Sequence, residues 1–416
     1  MLNEISISNF KSLSEVSLKL RPITILIGPN RSGKSGVLQA LTCFKQSLGS
    51  HDLILDGNFI NLGTYQDVVR RGQQRITLKT AGSSIFEESL FPFDTKRVSY
   101  AYEATFERGR IVACQSGYNG ALDLKSRWSS VEEKERAIEP PKITFRTDAS
   151  VSLGLNSEVG LPIVISGTSH SPETKGIVEA ASRSLQSIIS VIREDINRIH
   201  LVPAIRGFDQ PSFELDVEAF QDFAVAGNPS VQATRAASSL AYNRDLEEKI
   251  SSWTKRITGV SITVRLVPKR RVVLESTEHK SRINVINEGF GLNQLVYLLA
   301  QIAIAPPKSL LLIEDPEIHL HPKAQAELAD IFAEIARENK QLLITSHSEH
   351  MLFRFLTNVA EKRLAHGDLS VYYFEKNEVT KARELKVNEK GMIEGGLSGF
   401  FEADVTELRR YIEALR

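Results

Sequence analysis

One eight-residue segment limits the possible folds of this chain more than any other. Residues 28–35 read Gly-Pro-Asn-Arg-Ser-Gly-Lys-Ser, after an apolar run at 23–27 and before an amphipathic helical pattern at 37–44. The glycines at positions 28 and 33 allow the backbone to wrap closely, so that successive N–H groups and the start of the helix face bound phosphate groups. The order of strand, glycine-rich turn and helix therefore predicts a phosphate-binding loop.

The residue types in this loop indicate how it would hold a nucleotide. Lys34 is expected to reach the β- and γ-phosphates of ATP, and the Ser35 hydroxyl is expected to ligate Mg²⁺. Arg31 fits either a contact with phosphate or base, or a solvent-facing position. The predicted cofactors are ATP and Mg²⁺, and the residues predicted to contact ATP are Gly28, Pro29, Asn30, Arg31, Ser32, Gly33, Lys34 and Ser35.

A second motif supplies the acids that such a loop requires. Four apolar residues at 310–313 precede Glu314 and Asp315, which is the pattern of a buried strand that ends in carboxylates. Glu314 takes the position next to the metal, and Asp315 takes the position of a general base that orients the attacking water. The alternative is a buried strand that ends in a solvated acidic turn.

The long separation between these motifs points to a particular group of proteins. Lys34 and Glu314 lie 280 positions apart, and large insertions at this point are typical of ABC-type ATPases of the SMC, RecF and OLD-like branch. Three segments resemble that branch: residues 5–13 its opening strand, 313–322 its Walker B motif and D-loop, and 343–348 its switch-histidine strand. The resemblance covers residues 1–70 and 283–375, and within the middle of the chain only residues 200–206 are similar.

The resemblance implies roles for residues in the C-terminal part. His347, at the end of the switch strand, would contact the γ-phosphate. Asn287, Gly289 and Gly291 lie where the family carries its L-S-G-G-Q signature, which faces the γ-phosphate of a dimer partner. A plain glycine-rich helix cap is the alternative reading of that segment. Asp315 is one methylene shorter than the family's usual glutamate, which raises the alternative of slow hydrolysis.

Two other sets of residues leave alternatives open. Gln66 is a candidate for the Q-loop glutamine, which completes the Mg²⁺ shell and senses the γ-phosphate, and a solvated loop glutamine fits nearly as well. His319 and His321 form a His-x-His pair, but two ligands are too few for a metal site, so a turn that contacts a dimer partner is preferred. Glu317 lies two residues beyond Asp315 and is not assigned to the same face.

The predicted fold class is α/β: a P-loop NTPase similar to an ABC ATPase head, with a mixed sheet, an antiparallel β lobe and a helical insertion. Short, turn-bounded strands between residues 75 and 164 indicate the antiparallel lobe. An apolar stripe at 174–198 predicts a helix, and further helix is predicted at 217–223 and 231–257. The predicted domains are residues 1–165 as the N-terminal half of the ATPase core, 166–260 as a mainly helical insertion, and 261–416 as the C-terminal half.

Composition excludes several classes of protein. The chain has 416 residues, of which 42% are hydrophobic and 25% charged, so wholesale disorder and collagen are excluded. Cys43 and Cys114 are too few for a disulfide scaffold or a cysteine-built zinc site. No basic and apolar leader is visible, and no window approaches the ~20 apolar residues of a membrane span. A soluble cytoplasmic protein is therefore expected, without a membrane partner.

Charge gives no sign of a nucleic-acid partner. The chain contains 51 basic and 51 acidic residues, which balance. Tight basic clusters occur at residues 70–71 and 269–271. Clusters of this length usually decorate solvated faces, and a local nucleic-acid contact is the alternative.

The motifs together predict an ATP-driven switch. A homodimer or higher homo-oligomer would close over ATP, and its opening after hydrolysis would control a separate effector protein, with antiviral defence as the expected setting. A RecF-like ATPase of DNA repair and maintenance, and a nucleotide-binding scaffold with little hydrolysis, are the alternatives. The 69 residues after His347 are fewer than an OLD-type Toprim nuclease needs and lack a D-x-D metal motif. Residues 391–401, with a helical pattern at 405–415, resemble the tail of standalone ATPases of this branch.

Overall fold

The computed structural model describes residues 1–48, 50, 52–90, 95–119, 124–129, 142–144, 150–155, 162–168, 172–216, 229–278, 281–396 and 413. The helix predicted at 217–223 lies outside these residues, as does the predicted C-terminal tail beyond residue 396 apart from residue 413. No helix in the described ranges is both long and apolar enough to cross a membrane.

Strands and helices alternate at both ends of the chain. The strands are β1 (Leu2–Phe10), β2 (Leu13–Lys19), β3 (Ile23–Ile27), β4 (Arg75–Leu90), β5 (Thr95–Glu107), β6 (Arg110–Asn119), β7 (Leu124–Ser129), β8 (Lys142–Thr144), β9 (Ser150–Leu155), β10 (Pro162–Thr168), β11 (Ile199–Val202), β12 (Phe213–Glu214), β13 (Ser261–Val267), β14 (Arg271–Glu278), β15 (Ser281–Asn284), β16 (Leu310–Glu314), β17 (Gln341–Ser346), β18 (Leu369–Lys376) and β19 (Thr380–Leu385). The α-helices are α1 (Lys34–Gln46), α2 (Tyr65–Val68), α3 (Pro172–Asn197), α4 (Pro229–Tyr242), α5 (Arg244–Thr258), α6 (Phe290–Ile304), α7 (Pro322–Ala336) and α8 (Glu349–Ala360).

The largest sheet is parallel at one end and antiparallel at the other. Within the described residues its strand order is β11-β16-β17-β3-β18-β19-β2-β1-β4-β5-β6-β7. The strands from β11 to β18 run parallel, and every pair from β2 to β7 is antiparallel. The prediction of an α/β fold with a mixed sheet and an antiparallel lobe is confirmed, and the lobe continues the core sheet. Two smaller sheets contain β8–β10 and β12–β15.

Alternation along the buried parallel strands divides the apolar core into two layers. On β16, Leu310 and Leu312 pack on the side of α1, whereas Leu311 and Ile313 pack on the side of α6, α7 and α8. Both faces of the strand are covered, which explains why it is a continuous apolar run. Because side chains two positions apart share a face, Glu314 lies on the α1 side, the side that carries the phosphate loop.

The register of the parallel strands brings three motifs to one edge of the sheet. Thr345 on β17 pairs with Glu314 on β16, and Ser346 pairs with Ile27 on β3. The residues that follow these three strands are Asp315, His347 and Gly28. They therefore meet at the carboxyl edge of the sheet, where α/β proteins usually bind their ligands.

The helical region predicted at 231–257 consists of two helices. α4 ends at Tyr242 and α5 begins at Arg244. Between them, the side chain of Asn243 accepts a hydrogen bond from the Leu246 amide over 3.1 Å, which makes Asn243 the N-cap of α5. The short strand β11, within the range predicted as a helical insertion, pairs with β16 in the central sheet.

Candidate functional site

Backbone geometry explains why the loop at residues 28–35 carries glycine at both ends. Gly28 has φ 142° and Gly33 has φ 104°, values that residues with a side chain rarely adopt. A Cβ atom on Gly28 would lie 2.2 Å from the carbonyl oxygen of Phe374 on β18. A Cβ atom on Gly33 would lie 2.8 Å from the Thr380 hydroxyl on β19. The loop therefore packs directly against the β18–β19 hairpin.

Polar contacts from distant segments hold the loop in place. The Thr380 hydroxyl donates to the Ser32 carbonyl and lies within hydrogen-bonding distance of the Ser12 hydroxyl, both over 2.9 Å. Ser12 stands between β1 and β2, so the first hairpin of the chain and β19 both support the loop. The Ser32 hydroxyl itself is buried and has no hydrogen-bond partner among the described residues.

Lys34 is a buried cation that the loop carbonyls hold. Its side chain is 5% exposed, and Nζ donates to the carbonyls of Gly28 over 2.8 Å and Pro29 over 3.0 Å. Burial lowers the pKa of Lys34, and the nearby carboxylates of Asp315 and Glu317 oppose that effect. The ammonium group thus lies within electrostatic reach of two acids but is bonded to neutral acceptors, an arrangement that suits an incoming anion.

The two acids predicted at the end of β16 occupy different environments. Glu314 is half-buried on the α1 side, and its Oε2 accepts a long hydrogen bond of 3.4 Å from the Ala204 amide. Asp315 has φ 41°, so the chain turns sharply as it leaves the strand. Its Oδ1 accepts a hydrogen bond of 2.9 Å from the Thr345 hydroxyl. Asp315 is therefore tied to β17, whereas the carboxylate of Glu314 contacts the loop that follows β11.

Glu317, which the sequence did not assign to the site, belongs to it by geometry. Its side chain is 8% exposed, and Oε1 accepts a hydrogen bond of 2.5 Å from the His347 amide. Burial raises the pKa of Glu317; the His347 hydrogen bond lowers it, and the Asp315 carboxylate raises it again. The glutamate connects the turn after β16 with the residue that follows β17.

Arg206 is a second site residue that sequence reasoning left without a role. It is buried, and its guanidinium donates to the carbonyls of Pro203, Glu314, Asp315 and Pro316 over 2.8–3.3 Å. Burial lowers the pKa of Arg206 to about 10, and the three acids of the β16 turn, Glu317 first, oppose that effect. Arg206 therefore fixes the main chain that carries the acids. The similarity of residues 200–206 to the family was the one sequence signal for it.

His347 shares the electrostatic environment of Lys34 and Asp315. Its side chain is exposed at the end of β17. Partial desolvation lowers the pKa of His347, the Lys34 ammonium lowers it further, and Asp315 acts in the opposite direction. The neutral imidazole is therefore favoured at pH 7, and it is able to donate or accept one hydrogen bond at this edge.

The predicted signature segment contains two glycines with different surroundings. Gly289 is the N-cap of α6, with φ −58° and no atom within 4 Å of a Cβ placed there. A Cβ on Gly291, in contrast, would lie 2.6 Å from the carbonyl oxygen of His319 in the same chain. Asn287 is exposed, whereas Asn293 exchanges two hydrogen bonds with the main chain of Phe208. Of the three residues predicted for the signature, Asn287 and Gly289 are thus the two that face outward.

Gln66 and the His-x-His pair make no hydrogen bond to the loop among the described residues. Gln66 is exposed on α2 and makes no hydrogen bond to the loop in the part of the chain that the structure describes. His319 has φ 63° and contacts the ring of Phe290, while His321 caps α7 by accepting a hydrogen bond from the Lys323 amide. No group of three or more potential metal ligands occurs among the described residues.

The chain matches a known family and one curated relative. Residues 23–352 match the AAA_21 family, described as an AAA domain, putative AbiEii toxin, type IV TA system. The Old nuclease of Escherichia phage P2 is 22% identical over 375 residues, which are 84% of this chain and 57% of that protein. The chain therefore spans little more than half of the length of this relative.

A solved structure of an SMC head shares the fold. The SMC head bound to the C-terminal winged-helix domain of ScpA has a TM-score of 0.51 and 14% identity, over 93% of this chain and 98% of that one. An SMC head domain with an extended coiled coil, from Pyrococcus furiosus and bound to the C-terminal domain of ScpA, has a TM-score of 0.48 and 14% identity, over 99% of both chains. The family match covers most of the chain and includes the phosphate loop, the β16 acids and His347, so the protein belongs to the AAA_21 family of P-loop ATPase domains.

Proposed function

We propose that this protein is a Mg²⁺-dependent ABC-type switch ATPase, which assembles on ATP into a homodimer or higher homo-oligomer and controls a separate effector protein. The observation that carries the proposal is the register of β3, β16 and β17, which end at one edge of the sheet and bring the buried Lys34 ammonium within electrostatic reach of Asp315 and Glu317. A cation for the phosphates and a carboxylate for the attacking water are two of the elements that hydrolysis of ATP requires.

The chemistry of the loop fits ATP and Mg²⁺. The buried Ser32 hydroxyl has no partner in the described chain, and the Lys34 ammonium is bonded to neutral carbonyls. Ser35, half-buried in the first turn of α1, and Glu314 would hold Mg²⁺, a cation that prefers oxygen ligands. When bound, Mg²⁺ neutralises charge on the phosphate oxygens.

The residues of the chain have distinct proposed tasks in hydrolysis. Lys34 binds the β- and γ-phosphate oxygens in place of the loop carbonyls. Asp315 orients a water molecule and accepts its proton, as the water oxygen bonds to the γ-phosphorus and the bond from that phosphorus to ADP breaks. The neutral His347 donates a hydrogen bond to the γ-phosphate. Arg206 keeps the main chain at Asp315 in place through its carbonyl contacts.

Exposed groups around α6 support the proposed assembly. Gly289 offers open space at the N-terminus of α6, where the backbone amides and the helix dipole favour an anion. Phe290 is 76% exposed beside it. Ile205, which is 89% exposed, lies on the loop that Asn293 ties to α6. Large apolar side chains so exposed favour a partner surface, and in a two-fold sandwich the same patch serves both subunits.

A separate effector and a defence role complete the proposal. An SMC head with the same fold binds a domain of ScpA, which is a precedent for control of a second protein by such a head. The family description names a putative toxin of a type IV TA system, and the curated relative is a phage nuclease. These similarities support antiviral defence as the setting, and a cytoplasmic location is proposed with it.

A nucleotide-binding scaffold with little hydrolysis is the second candidate. The observation that favours it is the hydrogen bond from Thr345 to Oδ1 of Asp315, because it occupies one oxygen of an already short carboxylate. In that case ATP would drive assembly, and turnover would contribute little to the switch.

Steady-state phosphate release from ATP, with and without Mg²⁺, tests the proposal. Wild-type turnover that needs Mg²⁺ and falls at least about 100-fold in Lys34→Ala supports a switch ATPase. Tight ATP binding with turnover no higher than that of Lys34→Ala supports the scaffold instead. Stimulation of turnover by duplex DNA would favour the RecF-like alternative over an effector protein.

A further inference from the structure

Glu317 combines burial, a short hydrogen bond and an unpaired oxygen. Its Oε1 accepts the His347 amide over 2.5 Å, which joins the turn after β16 to the end of β17. Its Oε2 is buried and makes no hydrogen bond of good geometry among the described residues, although the neighbouring Ser346 side chain lowers the pKa of Glu317. Burial of a charged carboxylate destabilises the folded state. A neutral amide side chain would accept the same hydrogen bond at a smaller desolvation cost. The side chain therefore calls for an explanation in terms of the site.

The surroundings of Glu317 are those of the proposed reaction centre. Its carboxylate lies close enough to Lys34 and Arg206 to favour the charged form of each. It is also next to Asp315, which acts on it as a like charge. Glu317 is thus hydrogen-bonded to the amide of His347, and its carboxylate interacts electrostatically with the ammonium group of Lys34.

Burial argues against Glu317 as the base that takes the proton from water. Its Oε2 is closed off from solvent, whereas Asp315 is only half-buried at the same edge. A base must reach the attacking water directly or through one further water. Glu317 is better placed to hold the chain on which His347 stands.

We propose that Glu317 is a positioning residue for ATP hydrolysis. It fixes the position of His347 by accepting a hydrogen bond from the main-chain amide of that histidine. This inference rests on the proposed ATPase function. The β16 turn and the end of β17 then move as one unit, so that Asp315 and His347 reach the γ-phosphate and its water in a fixed relationship. Loss of the hydrogen bond should slow hydrolysis while leaving binding of ATP to the loop largely intact.

A pair of substitutions separates the hydrogen bond from the charge. Glu317→Gln keeps an acceptor oxygen for the His347 amide, and Glu317→Ala removes it. We expect Glu317→Ala to lower kcat at least about 10-fold with a change in ATP affinity below about 3-fold, and Glu317→Gln to stay within about 3-fold of wild type. Asp195→Ala removes another buried carboxylate, which accepts a hydrogen bond from Tyr100 on β5, and serves as the control for general destabilisation.

Three turnover results would overturn the proposal. Normal kcat in Glu317→Ala would show that hydrolysis does not need the contact. Equal loss of kcat in Glu317→Gln and Glu317→Ala would show that the charge matters and the hydrogen bond does not. A loss in Asp195→Ala as large as that in Glu317→Ala would attribute the effect to reduced stability.

Amide hydrogen exchange of the segment around His347 gives a readout that does not need turnover. The His347 amide should exchange at least about 10-fold faster in Glu317→Ala than in wild type, and Glu317→Gln should retain its protection. Unchanged exchange in Glu317→Ala overturns the positioning role whatever the turnover. A wild type with no turnover above Lys34→Ala but with this exchange pattern refutes the proposed ATPase function, and leaves the contact itself supported.

Discussion

The Thr345 hydroxyl donates a hydrogen bond of 2.9 Å to Oδ1 of Asp315, and its oxygen lies 3.1 Å from the Asp315 amide. One buried side chain on β17 therefore contacts both the carboxylate and the main chain of the residue proposed to orient water. Thr345→Val keeps the shape of the side chain and removes both contacts. We expect turnover to fall about 10-fold or more, with ATP affinity nearly unchanged, because only the aim of Asp315 is lost.

Thr24→Val is the matched control for this substitution. Thr24 is equally buried on the neighbouring strand β3, and its hydroxyl oxygen accepts a hydrogen bond from the Arg21 amide, away from the site. Both variants should lose similar stability in urea unfolding, and only Thr345→Val should lose turnover. If Thr345→Val hydrolyses ATP at the rate of Thr24→Val, the contact does not orient the catalytic carboxylate.

The two acids at the end of β16 should give different phenotypes. Asp315→Asn should retain ATP binding but lower turnover by about 10²- to 10⁴-fold, because the amide cannot accept the proton of water. It should also accumulate the ATP-bound assembly, measured by sizing chromatography with ATP and Mg²⁺. Glu314→Gln should instead raise the Mg²⁺ concentration required for binding. If Glu314→Gln accumulates the assembly and Asp315→Asn behaves as wild type, the two roles are reversed.

The parts of the site that could be predicted from the sequence are those that depend on local patterns. The run from Ile23 through the glycine loop into α1 carries its strand, turn and helix signals within about 20 consecutive residues. The apolar strand before Glu314 and the strand before His347 are similarly complete. Parallel strands end at one edge of a sheet, and the register of β16, β17 and β3 brings the motifs at their carboxyl ends together.

The residues that the sequence did not reveal depend on packing between distant segments. Glu317 enters the site because the turn at Asp315, with its positive φ, redirects the chain toward β17, and no periodic pattern encodes such a turn. Arg206 acquires its role from carbonyl groups more than 100 residues away. Gln66 is the opposite case: its place in the sequence resembles a motif, but its side chain is exposed on the four-residue helix α2. Hydrogen bonds between the segment of α2 and the β1–β2 hairpin fix the position of this helix.

The open space at Gly289 makes it the residue of choice for a test of ATP-driven assembly. Gly289→Arg places a bulky cation at the N-terminus of α6 without a clash in its own chain, whereas a side chain on Gly291 would meet the His319 carbonyl. We expect the variant to bind ATP through its own loop but to lose ATP-dependent association and turnover. The measurements are light scattering with ATP and phosphate release.

Gly367→Arg and a mixing experiment complete this test. Gly367 also has no atom within 4 Å of a Cβ, and it precedes β18 at the opposite edge of the sheet, so Gly367→Arg should behave as wild type. A mixture of Lys34→Ala with Gly289→Arg should recover some turnover, because a mixed dimer contains one intact loop opposite one intact α6. Normal turnover of Gly289→Arg alone would exclude the sandwich.

Acid should destabilise the protein partly through His200. This histidine is buried on β11, with Nε2 at 3.2 Å from Oε1 of Gln301, and burial lowers its pKa to about 3, with the Lys45 ammonium acting in the same direction. Between pH 6.5 and 3 this histidine is protonated in the unfolded chain but neutral in the folded chain. The contribution of the neutral His200 to the free energy of unfolding is therefore complete above pH 6.5 and is lost as the pH falls. The expected slope from this residue is about 1.4 kcal/mol per pH unit.

His200→Gln removes the titration, and urea unfolding at pH 7.5 and 5.5 should therefore show a smaller loss of stability in this variant than in wild type. His366→Gln, at an exposed histidine, should keep the wild-type pH dependence, and an equal dependence in all three proteins would refute the buried neutral state of His200.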